Sequence, residues 1–218
     1  MSDFYQQNYK KYHEKTFYTD SSSILRPLAQ RLAPGSFILD AGCGSGRDLL
    51  WFKKQGFNVI GFERSPGLAK LARKNAGCEV TEGDFESYDF SGLSADAIVL
   101  VGALVHVPHE SFQDVFENIV TALGDRGYVL VSLKEGTGEK TDAHARVFYL
   151  WEDDDLRSIF DAAGFRVAEF FRRRSAIGTD ELWLTYALER ARNLRPREPV
   201  PPAENAGPPR LNSRFDIS

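Results

Sequence analysis

The run Asp40-Ala41-Gly42-Cys43-Gly44-Ser45-Gly46 places three glycines and a leading carboxylate in one short turn. Glycine lacks a side chain and accepts positive φ, so such a turn lets a ligand lie against the backbone. If the turn opens a helix, its free amides also favour negative charge. Glu63 follows at the expected end of the next strand, where an acid can accept hydrogen bonds from both ribose hydroxyls of a nucleotide-type ligand. Gly83-Asp84-Phe85 adds a carboxylate able to accept from an adenine amino group and a ring able to pack on the base. His106 and His109 have the spacing of a metal pair on a helix, but Pro108 lies between them and no third ligand is evident, so no metal is expected. His106 suits a general base or an acceptor-orienting group, because the ordinary histidine pKa of about 6.5 fits that work. A histidine that merely lines the pocket against a cofactor is the competing reading.

Two cofactor classes fit a glycine turn. Dinucleotide sites favour G-x-G-x-x-G/A, whose third small residue lets the helix pack close to the pyrophosphate. Counting from Gly42 and Gly44, that third place is Arg47, and its bulk argues against a nicotinamide dinucleotide. S-adenosylmethionine has no pyrophosphate and needs only a turn that accommodates its methionyl part. Singly, the turn could be a simple tight turn, and Glu63 or Asp84 a solvated acid. All three fall at consecutive strand ends, in order.

The elements that must position these groups alternate along the chain. Tyr5, Tyr9 and Tyr12 recur at helical spacing over residues 3–15. Asp20 can cap a second helix carrying Ile24, Leu25, Leu28 and Leu32. Residues 36–40 read as a buried strand that feeds the glycine turn and a helix to Gly56. A strand over residues 57–62 precedes Ser65-Pro66, a capping residue with proline at the first helical position. A short strand follows at 78–81. Residues 96–101 are almost wholly apolar, as a strand covered on both faces requires. A helix through Phe112, Phe116 and Leu123, a strand at 128–133, a polar loop at 134–146 and a helix from Leu156 to Ala163 come next. Two last strands, near 166–171 and 181–188, have no helix between them. The pattern implies an α/β, doubly wound, mostly parallel sheet with helices on both faces and an antiparallel edge hairpin.

With those residues in place, the chain resembles the class I S-adenosylmethionine-dependent methyltransferases over roughly residues 4–189. The likeness rests on Leu39-Asp40-Ala41-Gly42-Cys43-Gly44-Ser45-Gly46-Arg47-Asp48, Glu63, Gly83-Asp84-Phe85 and the strand at 97–101. Leu104-Val105-His106-Val107-Pro108 and Phe148-Tyr149 bring it closest to the small tellurite-resistance-like and general small-molecule methyltransferases. The resemblance implies a seven-stranded sheet with a reversed last strand, a Rossmann-like methyltransferase fold. It also implies positions. Asp40, Gly42, Cys43 and Gly44 would lie near the methionyl part, Glu63 with Arg64 at the ribose, and Asp84 and Phe85 at adenine. Val101, Gly102 and His106 would line the reaction centre, where His106 is the catalytic candidate. Tyr12, on the tyrosine face, would close over the cofactor, and a ring near the sulfonium gains a cation–π attraction of roughly 0.5–2 kcal/mol. Simple packing of an amphipathic helix is the plainer account.

Absences narrow the acceptor. An Asp/Asn-Pro-Pro-Tyr signature of nucleobase amino-methylation would follow the fourth strand, where Val101-Gly102-Ala103-Leu104 stands instead. Neither Cys43 nor Cys78 occupies the place of a cytosine carbon-5 nucleophile, and no carboxylate cluster suggests a metal-dependent catechol enzyme. Net charge is -4, so a nucleic-acid partner is disfavoured. A small-molecule acceptor is the leading reading. Methylation of RNA, a modified nucleoside or a protein, a non-catalytic S-adenosylmethionine-binding module and a dehydrogenase are the alternatives. Two cysteines, no membrane-length apolar run and no signal-peptide layout lead to the expectation of a reducing cytoplasm.

Arg172-Arg173-Arg174 reads as a solvated strand edge, with recruitment of an acidic substrate as the alternative, and Glu152-Asp153-Asp154-Asp155 as charge complementing the following helix. Trp151, Phe148 and Tyr149 are expected in the core or in a substrate lid. The expected organisation is an N-terminal cap over 1–18, the methyltransferase domain over 19–190, and a proline-rich tail over 191–218.

Overall fold

A computed structural model describes residues 4–175 and 178–191. The proline-rich tail, beyond its first residue, lies outside the described residues. Seven strands form one sheet in the order β3-β2-β1-β4-β5-β9-β8. Its central strands are β1 (Phe37–Ala41), β2 (Asn58–Glu63), β3 (Val80–Glu82), β4 (Ala95–Val101) and β5 (Leu123–Lys134), all mutually parallel. The closing pair is β8 (Phe165–Arg174) and β9 (Leu182–Arg190). β9 inserts antiparallel between β5 and β8, so the expected hairpin is present and its second strand is the reversed one.

Strand alternation divides the core. From β4, Ala97 and Val99 face α2 (Ser22–Ala29) and α3 (Arg47–Lys54), joining Leu25, Leu28 and Phe52. Ile98 and Leu100 face the other side, where α5 (His109–Val120) and α6 (Asp153–Ala162) bring Phe112, Phe116, Leu156 and Phe160. α4 (Pro66–Ala76) packs beside α3 through Ala69 and Ala72. α4 starts as its residues dictate: the Ser65 hydroxyl accepts from the Leu68 amide at 3.3 Å, Pro66 takes the first turn, and Gly77 closes it at φ 58°.

Two boundaries differ from the sequence reading. α5 ends at Val120, because Leu123 already pairs with Ala95 as the first residue of β5. Apolar periodicity alone could not separate the helix's last turn from the strand's first residue. The segment read as a polar loop contains a small hairpin, β6 (Glu139–Thr141) with β7 (Val147–Tyr149). Its turn is held by Asp142, which accepts from the amides of His144 and Arg146 at 2.9 and 3.0 Å. Such local side-chain bonding makes a turn without any apolar signal.

Other expectations are placed by contacts. Phe148 and Trp151 are buried in the core. Arg172 pairs with Glu135, Arg173 donates to the Ser23 hydroxyl, and Arg174 pairs with Asp180 along the sheet edge. Asp153, Asp154 and Asp155 occupy the first turn of α6. Among the described residues, no helix is long and apolar enough to cross a membrane.

α1 (Phe4–Thr16) lies outside this sandwich, against α4. A Cβ on Gly67 would come within 2.6 Å of the Tyr9 ring, so only glycine allows this approach. The Gln6 side-chain oxygen accepts from the Ser65 hydroxyl and the Gly67 amide, both at 2.9 Å.

Candidate active site

The glycine turn is pinned to the end of β2 by backbone bonds. The amides of Gly42 and Cys43 both donate to the Phe62 carbonyl, at 2.7 and 3.0 Å. The Gly44 amide donates to Glu63 Oε2 at 2.8 Å, and the Ser65 amide to Oε1 at 2.8 Å. Glu63 therefore ties turn, strand and helix start together while one side of it faces a cavity. Burial raises its pKa, and the amides of Ser65, Gly44 and Arg64 oppose that rise by favouring the anion.

That cavity, of about 230 Å3, opens where the sheet's strands end. Gly42 sits at φ 82°, and a Cβ there would come within 2.6 Å of the Ala103 Cβ and 3.4 Å of the Phe85 ring. A side chain at Gly42 would be both strained and forced into the wall. Gly44, Glu63, Arg64, Gly83, Asp84 and Phe85 continue the lining, and Arg64 pairs with Asp84 at 3.1 Å. Phe62 stacks beside Phe85, with centroids 5.5 Å apart. Gly102, Ala103 and His106 form the far end, while Tyr5, Gln6 and Tyr12 from α1 cover it. A more open hollow of about 290 Å3 lies among Glu117, Thr121, Ala163 and Arg190, away from the glycine turn.

Nine sequence candidates are thus brought to one cavity wall: Tyr12, Gly42, Gly44, Glu63, Arg64, Asp84, Phe85, Gly102 and His106. Three stand off it. The Cys43 side chain is buried with Leu49 and Ala69 beneath the turn, and burial raises its thiol pKa. Val101 packs toward the α2 and α3 side of the sheet. Asp40 is buried at 3% exposure just ahead of the turn. Its carboxyl lies well above the ordinary range, first because it is buried, then because Asp48 is near; Arg47 opposes and Glu63 adds to the rise. Arg47 is committed to Asp48 through two bonds, at 2.7 and 2.9 Å. Among the described residues, no hydrogen bond reaches the Asp40 carboxylate.

The far end carries a polar chain that spacing did not reveal. The His106 Nδ1 faces the Val147 carbonyl, and its Nε2 lies 2.7 Å from the Tyr5 hydroxyl. Arg146 donates to the same hydroxyl at 3.3 Å and is itself held by Asp142 at 2.6 and 2.8 Å. Burial lowers the His106 pKa and raises that of Tyr5. His109 instead meets the Leu150 carbonyl at 2.8 Å. Tyr5 was visible only as one member of the tyrosine face. Arg146 and Val147 carried no signal, because their place depends on the hairpin.

Residues 38–127 match the family model described as a methyltransferase domain. The chain is 20% identical to the 1,6-didemethyltoxoflavin-N1-methyltransferase of Burkholderia thailandensis, solved with 1,6-didemethyltoxoflavin and S-adenosylhomocysteine. That superposition covers 85% of this chain and 84% of the other, with a TM-score of 0.69. A TehB-like S-adenosylmethionine-dependent methyltransferase from Corynebacterium glutamicum superposes with a TM-score of 0.67 at 23% identity, over 87% of this chain and 100% of that one. The fold is that of the class I methyltransferases. Within this methyltransferase fold, the cavity lies beyond the carboxyl ends of the parallel strands, where open α/β sheets bind ligands.

Curated relatives are matched over shorter stretches. A probable tRNA methyltransferase 9B from Mus musculus is 32% identical over 41% of this chain, and an uncharacterized methyltransferase from Geobacillus sp. (strain WCH70) is 30% identical over 50%. The chain spans 20% and 52% of the length of these two relatives.

Proposed function

We propose that this protein binds S-adenosylmethionine and transfers its methyl group to a small-molecule acceptor. The observation that carries the reading is the glycine cradle with an unpartnered buried carboxylate beside it. The Gly42 backbone lies bare against the cavity, and among the described residues no hydrogen bond reaches the buried Asp40 carboxylate, while Arg47, the cation acting on it, is bonded to Asp48. A methionyl ammonium held beside the turn would supply a positive charge of its own. Glu63 would accept from the ribose hydroxyls with whatever capacity its amide contacts leave, and the Phe62 and Phe85 rings would hold the adenine beside Asp84. His106, Gly102 and the α1 tyrosines would face the transferring methyl and the acceptor.

When bound, S-adenosylmethionine supplies a methyl carbon already activated by its sulfonium. The protein's task is alignment, an effect that can supply roughly 7–11 kcal/mol. The enclosed cavity under α1 supports a small acceptor, as does the small molecule held by the Burkholderia neighbour. The murine relative's name keeps RNA in view as a second acceptor class.

The test has two parts. Calorimetry should show saturable binding of S-adenosylhomocysteine and none of NAD; stabilisation by NAD alone would reverse the cofactor assignment. Radiolabelled methyl groups should then appear in the metabolite fraction of a cell extract. Label in RNA or protein instead would move the acceptor class, and tight cofactor binding with no label anywhere would leave a binding module.

A further inference from the structure

The far end of the cavity is built as a proton path. The Val147 carbonyl can only accept, so the His106 Nδ1 beside it carries the proton. Burial keeps the imidazole neutral at neutral pH, which leaves Nε2 as an acceptor. The Tyr5 hydroxyl, 2.7 Å away, therefore donates to Nε2. Arg146 donates to the Tyr5 oxygen at 3.3 Å. That oxygen retains accepting capacity, and both Tyr5 and His106 line the cavity.

We propose that Tyr5 and His106 form a relay that takes the proton of a weakly acidic hydroxyl, a phenol or enol, which is the acceptor class of this site. This rests on the methyl-transfer reading above. As the acceptor oxygen bonds to the methyl carbon, the electron pair of the breaking C–S bond stays on sulfur. The acceptor's proton passes to the Tyr5 oxygen while Tyr5's own proton passes to Nε2. Tyrosine stays neutral, and the imidazolium keeps its Nδ1–H on Val147.

Charge around the relay selects the same class. Arg146 touches Tyr5, and the Lys134 ammonium sits 3.7 Å above the Phe148 ring, which itself packs on His106. Asp142 pairs with Arg146 and Glu181 with Lys134. Arg146, in contact with the Tyr5 oxygen, disfavours a cationic amine beside it and favours a hydroxyl losing its proton. A histidine of lowered pKa is a weak base, which suits a phenol or enol better than an alkyl alcohol.

Protein saturated with S-adenosylhomocysteine is titrated with 4-nitrophenol, read by absorbance, and with benzylamine, read by calorimetry. 4-Nitrophenol should bind saturably and about tenfold more tightly than benzylamine. Its affinity should fall about tenfold in both Tyr5→Phe and His106→Gln. Turnover of a phenol series with S-adenosylmethionine should fall about 100-fold in each variant, while S-adenosylhomocysteine affinity stays within about threefold. The wild-type rate should decline only as pH drops below the usual histidine range, because protonating Nε2 removes the acceptor. Preference for benzylamine, wild-type behaviour in both variants, or no phenol binding despite tight S-adenosylhomocysteine binding would overturn the relay. Failure to bind S-adenosylhomocysteine would overturn the cofactor reading itself. Tyr5→Phe, which removes one oxygen from a helix outside the core, keeps the test independent of folding.

Discussion

The two ends of the cavity are built by different means. The end at the glycine turn is a backbone construction: amides of Gly42, Cys43, Gly44 and Ser65 reach the Phe62 carbonyl or Glu63 across adjacent parallel strands. The other end is a side-chain construction. It joins Tyr5 of α1, His106 after β4 and Arg146 of the hairpin, groups separated by 101 and 141 residues. A backbone site is inherited with the fold and changes little when surface residues change. A side-chain site can be rebuilt residue by residue on the same frame. On the proposed function, donor recognition would fall to the first end and acceptor choice to the second, and the two would be separable.

That separation can be broken most severely at Gly42. Gly42→Val combines a φ that valine resists with a clash against Ala103. Strain and overpacking, each about 1–3 kcal/mol, should lower the stability of the fold, and the turn they displace should lose nearly all of its S-adenosylhomocysteine affinity. Calorimetry reads it directly, with a thermal melt reporting the accompanying loss of stability. Near-normal affinity would mean that the turn is not the donor cradle.

Asp40→Asn should cost less, about 10- to 100-fold in the same affinity, the range of a charge-assisted bond worth about 1.5–3 kcal/mol. The direction of its pH dependence follows from the raised carboxyl. In the free protein Asp40 holds its proton more readily than a solvated aspartate does, and a bound ammonium favours the anion. Binding should therefore release protons and strengthen as pH rises through the Asp40 titration. Calorimetry in buffers of different ionisation enthalpy measures that release, and Asp40→Asn should abolish it. Proton uptake on binding would place the ammonium elsewhere.

Removal of residues 1–18 sharpens the comparison with the smallest effect on the donor. S-adenosylmethionine affinity should drop by about 30-fold, the effect of a ring-to-sulfonium attraction of about 2 kcal/mol. S-adenosylhomocysteine affinity should drop less because it carries no sulfonium, and the remaining domain should still melt cooperatively. Saturable 4-nitrophenol binding should vanish, since Tyr5, Gln6 and Tyr12 leave together with α1 and the cavity loses that wall. Retained phenol binding would detach the acceptor end from α1.

The donor end was legible because its parts fall in a regular order along the chain. Glycines, Glu63 and Asp84-Phe85 each follow a strand, and parallel strands deliver their carboxyl ends to one edge. Eight of the nine candidates on the cavity wall end or follow a strand in that way, and Tyr12 of α1 is the ninth. Cys43 and Val101 did not reach the wall, because position in a turn or strand does not say which way a side chain points. The hairpin around Arg146 was missed because its turn is made by Asp142 rather than by apolar alternation.

By itself, then, the sequence determined an alternating α/β chain, a glycine turn after its first strand with the bulky Arg47 just beyond it, and acids at the ends of the next two strands. Those properties are local: backbone preference, hydrophobic period and residue size act within a few positions. Tertiary structure alone decided that Asp40 lacks a partner, that Tyr5 meets His106 and that Arg146 reaches both α1 and the hairpin. The Tyr5 contacts arise only when segments more than 100 residues apart in the chain pack together, and burial then shifts the proton affinities of Tyr5, His106 and Asp40. Spacing along a chain carries no record of that.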